Sequence, residues 1–79
     1  MAKTRREQPK RLARKLLAIR QNLGMSQTEM AKALQLKVSY TVVSGYELGT
    51  NEPNLLVLLP YARLAKVPVD NLIDDKLDI

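Results

Sequence analysis

Leu12, Leu16, Ile19 and Leu23 recur at i, i+4, i+7 and i+11, which draws one apolar stripe along a helix. Pro9 suits a first helical position, so the spacing predicts a helix opening near Pro9 and ending at Gly24. A second helix is predicted over 27–34. Ser26 and Glu29 have capping-box spacing ahead of it, and Met30, Ala31 and Leu34 form its inner face. A turn at 35–38 leads to a third helix over 40–48. Ser39 is its expected cap, Val43 and Tyr46 its inward pair, and Gly49 its left-handed stop. The segment 38–43 is β-prone, but Ser44-Gly45 and the placement of Val43 and Tyr46 favour a helix. A fourth helix is predicted over 55–66, capped by Asn54, with Leu55, Leu58, Leu59, Ala62 and Ala65 inward. Pro60 falls inside it and must kink it or delay its start. Val67-Pro68 resets the chain for a short fifth helix over 69–73. Residues 1–8 read as a flexible basic arm, 9–73 as one all-α domain, and 74–79 as a tail.

The second and third helices are too short to stand alone, so the others must hold them, leaving one helix presented outward. The 79 residues contain neither cysteine nor histidine. This excludes thiolate metal sites, a cysteine nucleophile and the usual general base. Asp70, Asp74, Asp75 and Asp78 lack calcium-loop spacing and read as a solvated tail. No catalytic set, metal site, cofactor or small-molecule substrate is evident, so no enzyme is expected. No apolar run approaches the roughly 18 residues of a membrane span. Arg14, Lys15 and Arg20 interrupt the one stretch near the N-terminus. A cytoplasmic, soluble domain is expected.

Net charge is +5 and unevenly placed. Residues 1–20 carry Lys3, Arg5, Arg6, Lys10, Arg11, Arg14, Lys15 and Arg20 against Glu7 alone, whereas the remainder is net acidic. Such an end suits a polyanionic partner; the plainer reading is a solubilising tail. Beside a predicted helix-turn-helix, the polyanion is nucleic acid.

Several segments, in this order, resemble the phage-repressor (Xre/Cro-type) helix-turn-helix family. They are Arg20-x-x-x-Gly24-Met25-Ser26-Gln27, Ala31-x-x-Leu34, Val43-Ser44-x-x-Glu47-x-Gly49, Pro53-Asn54-Leu55 and Val67-x-x-Asp70-x-Leu72. Together they cover most of the chain. The resemblance implies a compact bundle of five helices, of the lambda-repressor-like kind. It also implies sequence-specific binding of double-stranded DNA, with the third helix in the major groove and usually as a homodimer. One departure stands out. The family joins the second and third helices by a short turn such as Gly-Val-Ser. Here the linker Gln35-Leu36-Lys37-Val38-Ser39 is longer, and Gln35 stands where a small residue is usual.

Carried onto this sequence, the family's base-reading positions fall on Tyr40, Thr41, Ser44 and Gly45. Thr41 offers a hydroxyl and a methyl, Tyr40 a hydroxyl and a ring, and Gly45 only close approach. The face lacks the Arg, Gln and Asn that make bidentate base contacts. The plainer role for Tyr40 is to anchor the turn. Expected phosphate contacts are Gln27, which also stands to brace Tyr40, then Thr50 and Asn51, Lys37 in the long turn, and Lys3, Arg5 and Arg6 in the arm. Arg11, Arg14 and Lys15 are expected on a solvated helix face. By the same resemblance Arg20 and Glu47 are expected to form a partly buried structural ion pair. Val43, Tyr46, Leu58, Leu59 and Leu72 are expected in the core, and Leu48 at the surface. The candidate dimer surface is the fifth helix and tail: Val69, Leu72, Ile73, Leu77 and Ile79. The competing function is a protein-interaction module of the same fold, antitoxin-like or binding a toxin or polymerase subunit.

Overall fold

The computed structural model describes residues 9–35 and 40–79. The expectations for Lys3, Arg5, Arg6, Lys37 and the Ser39 cap lie outside them. The described residues form five helices: α1 (Leu12–Asn22), α2 (Gln27–Ala33), α3 (Tyr40–Leu48), α4 (Leu55–Ala65) and α5 (Asp70–Ile73). No strand occurs among them. α3 packs on α2 and α1, and α1 also packs on α4 and α5. The core combines Leu12, Leu16 and Ile19 with Met30, Ala31, Leu34, Val43, Tyr46, Leu58, Tyr61, Ala62 and Leu72.

Each helix end has a chemical cause. The capping box at α2 is complete: Glu29 N donates to Ser26 Oγ at 3.0 Å, and Ser26 N donates to Glu29 Oε1 at 2.8 Å. At the end of α3, Gly49 takes φ +81°. Thr50 N then donates to Gly45 O at 3.0 Å and Gly49 N to Tyr46 O at 3.3 Å, closing a Schellman turn. Asn54 Oδ1 accepts from Val57 N at 3.1 Å and opens α4. α4 neither starts late nor breaks: it runs from Leu55 through Pro60. Pro60 deprives the Leu56 carbonyl of its helical donor. Leu56 itself lies on the exposed side of the helix.

Several expectations are corrected. α1 opens at Leu12 rather than near Pro9, because Pro9–Arg11 makes a preceding turn, with Leu12 N donating to Pro9 O at 3.3 Å. Leu23 closes α1 at its exposed end, beside a groove formed by Ile19, Leu64, Ala65, Val67 and Ile79. α2 ends one residue early, at Ala33. In α4, Leu55 and Leu59 face outward, and the buried positions are Leu58, Tyr61 and Ala62. Residues 55–59 are apolar at every position, so their periodicity selects no face; burying the large Tyr61 does. Leu72 is fully buried, which removes it from any dimer surface.

The largest correction concerns the tail. Asp75 accepts from the backbone amides of Lys10 at 2.9 Å and Arg11 at 3.0 Å. Arg11, the N-cap of α1, has no side-chain cap bond of its own, so a carboxylate from the far end of the chain serves the helix start. The Arg11 guanidinium donates to Asp75 O at 2.8 Å and pairs with the Asp78 carboxylate. Lys15 is almost fully buried and donates to Asn71 O at 2.6 Å and Asp74 O at 2.9 Å, at the end of α5. Arg11 and Lys15 are therefore structural, and the acidic tail is clasped to α1. The residue opening the long turn, Gln35, takes φ +59°, a left-handed conformation that favours glycine.

Two measurements check this account. Gln35→Gly relieves left-handed strain at the cost of a freer unfolded chain and is expected to stabilise the domain by roughly 0.5–1 kcal/mol, seen as a higher denaturation midpoint. The backbone donors of Arg11 and Lys10 hold the Asp75 carboxyl below its ordinary value of 3.8. That stabilisation is complete above the ordinary value and is lost as pH falls through the lowered one. Asp75→Ala should therefore melt earlier than the parent at pH 7, and the difference in Tm should close in strong acid.

Candidate nucleic-acid interface

The helix-turn-helix pair is set by one buried junction. Glu47, near the end of α3, has a side chain only 4% exposed. Arg20 of α1 meets it in a bidentate pair, with Nε to Oε2 at 2.7 Å and Nη2 to Oε1 at 3.1 Å. Arg20 Nη1 also donates to Met25 O at 2.9 Å, tying down the α1–α2 connection. Gln27 Nε2, from the first turn of α2, adds a bond to Glu47 Oε1 at 3.1 Å. The hydrogen bond to Glu47 raises the Arg20 pKa against the opposing effect of burial, so the guanidinium stays charged. The expected pairing of Arg20 and Glu47 is thus present. Gln27, expected at phosphate, donates through its side-chain amide to Glu47. Its part in the junction could not be read from spacing alone, because α1, α2 and α3 meet there only in the fold.

With Val43, Tyr46 and Glu47 turned inward, α3 presents another row outward. Tyr40 is 50% exposed, Thr41 is exposed and Ser44 is half-buried. Thr41 and Ser44 lie three apart and Tyr40 and Ser44 four apart, so the three share one helix surface. Leu48 lies one further turn along and is exposed, as expected. No charged side chain interrupts this row.

Gly45 is placed differently from the expectation that it approaches bases. It is buried beneath the following loop, and a Cβ there would stand 2.3 Å from Asn51 Nδ2. Its carbonyl accepts from Thr50 N at 3.0 Å, Asn51 N at 3.2 Å and Thr50 Oγ1 at 3.3 Å. The missing side chain lets the loop fold back over α3 and hold the exposed Thr50 and Asn51 beside it. Gly45 thereby shapes the site from beneath. Among the described residues no group of acidic side chains is arranged to hold a metal ion, and no helix is long and apolar enough to cross a membrane.

A family model described as "Helix-turn-helix" matches residues 16–72, from the second turn of α1 to α5. Among solved structures, the chain is similar to the P22 c2 repressor protein, crystallised in complex with synthetic operator 9T in the presence of Tl+. The two share 23% identity with a TM-score of 0.72, over 81% of this chain and 94% of that one. At this identity the likeness is one of fold. No curated protein matches the chain.

The junction makes a direct prediction. Arg20→Ala strips the buried Glu47 carboxylate of its counter-charge and should cost about 3–5 kcal/mol in urea unfolding. A loss below about 1 kcal/mol, the level of an exposed pair, contradicts the account.

Proposed function

This chain belongs to the helix-turn-helix family, and within it we propose a repressor-like, sequence-specific regulator that binds double-stranded DNA as a homodimer. α3 lies in the major groove. Tyr40, Thr41 and Ser44 face base edges, while Thr50, Asn51 and the side-chain amide of Gln27 approach phosphates. Lys37 and the arm residues Lys3, Arg5 and Arg6 supply further cations. The observation that carries the reading is the division of α3 into two faces. One is locked into the core by Val43, Tyr46 and Glu47, and the other is exposed, continuous and free of acid. A negative charge on the outer face would repel the duplex; here the single acid of α3 is buried and neutralised.

The outer row consists of hydroxyls, an aromatic ring and methyls. Thr41 can pack its methyl on a thymine methyl while its hydroxyl donates or accepts. A similar uncharged row also suits a protein partner, and salt separates the two readings. Binding through several phosphate contacts weakens steeply as salt rises, whereas an apolar protein contact does not.

Selection from a random duplex pool with the purified chain should enrich one site. On it, Thr41→Ala and Ser44→Ala should each weaken binding about tenfold, roughly 1.4 kcal/mol, while leaving affinity for unrelated duplex unchanged. A pool that stays unenriched, or an affinity insensitive to salt, moves the assignment to a protein partner.

A further inference from the structure

One outward position of α3 is filled by another segment. Opposite the buried Val43 and Tyr46, the strip of α3 farthest from the core runs Thr41, Gly45, Leu48, spaced i, i+4, i+7. Thr41 and Leu48 are exposed, as that placement requires. Gly45 is buried, because the loop after α3 lies on it. A Cβ there would stand 2.3 Å from Asn51 Nδ2, 3.0 Å from Asn51 Cγ and 3.3 Å from Thr50 Oγ1. The backbone does not itself call for glycine. Gly45 lies inside α3 without a positive φ, where glycine is unfavourable. What calls for it is the Asn51 side chain.

We propose that the Asn51 carboxamide stands in for the side chain missing at position 45 and reads a base edge in the major groove. Held against Gly45, it extends the row of Tyr40, Thr41 and Ser44 by one helical turn beyond Thr41. Asn51 is exposed, so the residue meets α3 and the outside at once. A carboxamide sets a donor beside an acceptor. The major-groove edge of adenine, with its N6 donor and N7 acceptor, is the complement. The outward residues of α3 supply hydroxyls, a ring and methyls, and none of them makes that pairing. The ligand class is therefore an A·T pair, and the residue that selects it comes from the loop.

The loop is fixed to α3 by its backbone, which leaves the carboxamide free of that task. Thr50 N and Asn51 N donate to Gly45 O at 3.0 and 3.2 Å, and Thr50 Oγ1 adds a bond at 3.3 Å. A short side chain on so fixed a backbone loses little freedom when it meets a base. Gly45 acts as a positioning residue, because its missing methyl is the space the carboxamide occupies. The assignment rests on the DNA-binding reading and refines one part of it. Thr50 and Gln27 remain at phosphates, and the Asn51 side chain turns to a base.

Selection from a random duplex pool tests this with four proteins: the parent, Asn51→Ala, Gly45→Ala and the double variant, each checked for folding by circular dichroism. Asn51→Ala should lose the preference for A·T at one position, different from the position lost in Thr41→Ala. Affinity for the parent's site should fall about tenfold, with affinity for unrelated duplex unchanged. Gly45→Ala should lose the same position, since its methyl displaces the carboxamide. The double variant should lose no more than either single one, because both remove one contact. A purely structural role for Gly45 and Asn51 moves no single base preference. Asn51→Ala weakening every duplex alike marks a phosphate contact and overturns the proposal. So does a lost position held by G·C, a Gly45→Ala protein that keeps the A·T preference, or losses that add in the double variant. In each of these outcomes the parent still selects a site, so the DNA reading stands. A parent that enriches no site overturns that reading, and this assignment falls with it.

Discussion

The structure depends on a carboxylate that has almost no access to water. Glu47 accepts two bonds from Arg20 and one from Gln27, and these residues come from three different helices. An ion pair this buried adds little net stability over a well-packed apolar replacement, because both charges lose hydration. What it supplies is placement. α2 has seven residues and α3 nine, too few to be stable as isolated helices. Apolar side chains alone would let such short helices slide or roll against each other. The bidentate geometry is satisfied only when α1, the α1–α2 connection and the end of α3 hold one arrangement. Tyr61 of α4 lies close behind: burial pushes its phenol pKa up, and the Glu47 charge pushes it further, so a neutral ring closes the junction from below.

The parts legible in the sequence were those governed by local chemistry. The bounds of α3, the capping box at Ser26, the Asn54 cap and the left-handed Gly49 follow from residues within a few positions of one another. The ion pair became visible through family resemblance, since Arg20 and Glu47 stand 27 positions apart. Illegible were the features decided between distant segments. Uniformly apolar residues at 55–59 gave no means of choosing the buried face of α4. Asp75 and Asp78 read as solvated acids because nothing nearby in sequence needs them; their partners are the amides and guanidinium at the other end of the chain. Gly45 looked like a point of close approach to an outside ligand, and it is one for Asn51 of the same chain.

These distant contacts also change how the charge should be counted. The concentration of basic residues in 1–20 suggests a broad cationic surface. In the fold, Arg20 is neutralised by Glu47, Arg11 by Asp78, and Lys15 is buried against the carbonyls that end α5. In the first turn of α1, Arg14 remains exposed. The acidic tail thus neutralises the stem of the basic segment while fixing the start of α1. In the proposed complex, long-range attraction to a duplex then falls to charges outside these pairs, Lys3, Arg5, Arg6 and Lys37 among them.

In the proposed complex, a reading face without charge shifts the source of specificity. Hydroxyl groups both donate and accept, so there Thr41, Ser44 and Tyr40 would discriminate among base edges less sharply than a bidentate arginine or glutamine. Their discrimination depends on being held at fixed distance and angle, which the Glu47 junction does and a looser helix pair would not. One such helix yields a modest free energy even when held rigidly. Joining two copies makes the second half-site contact intramolecular, so the modest contributions act together without a new base contact. In the proposed complex, the fewer strong contacts each copy makes to bases, the more of the binding free energy must come from a second copy on the same duplex.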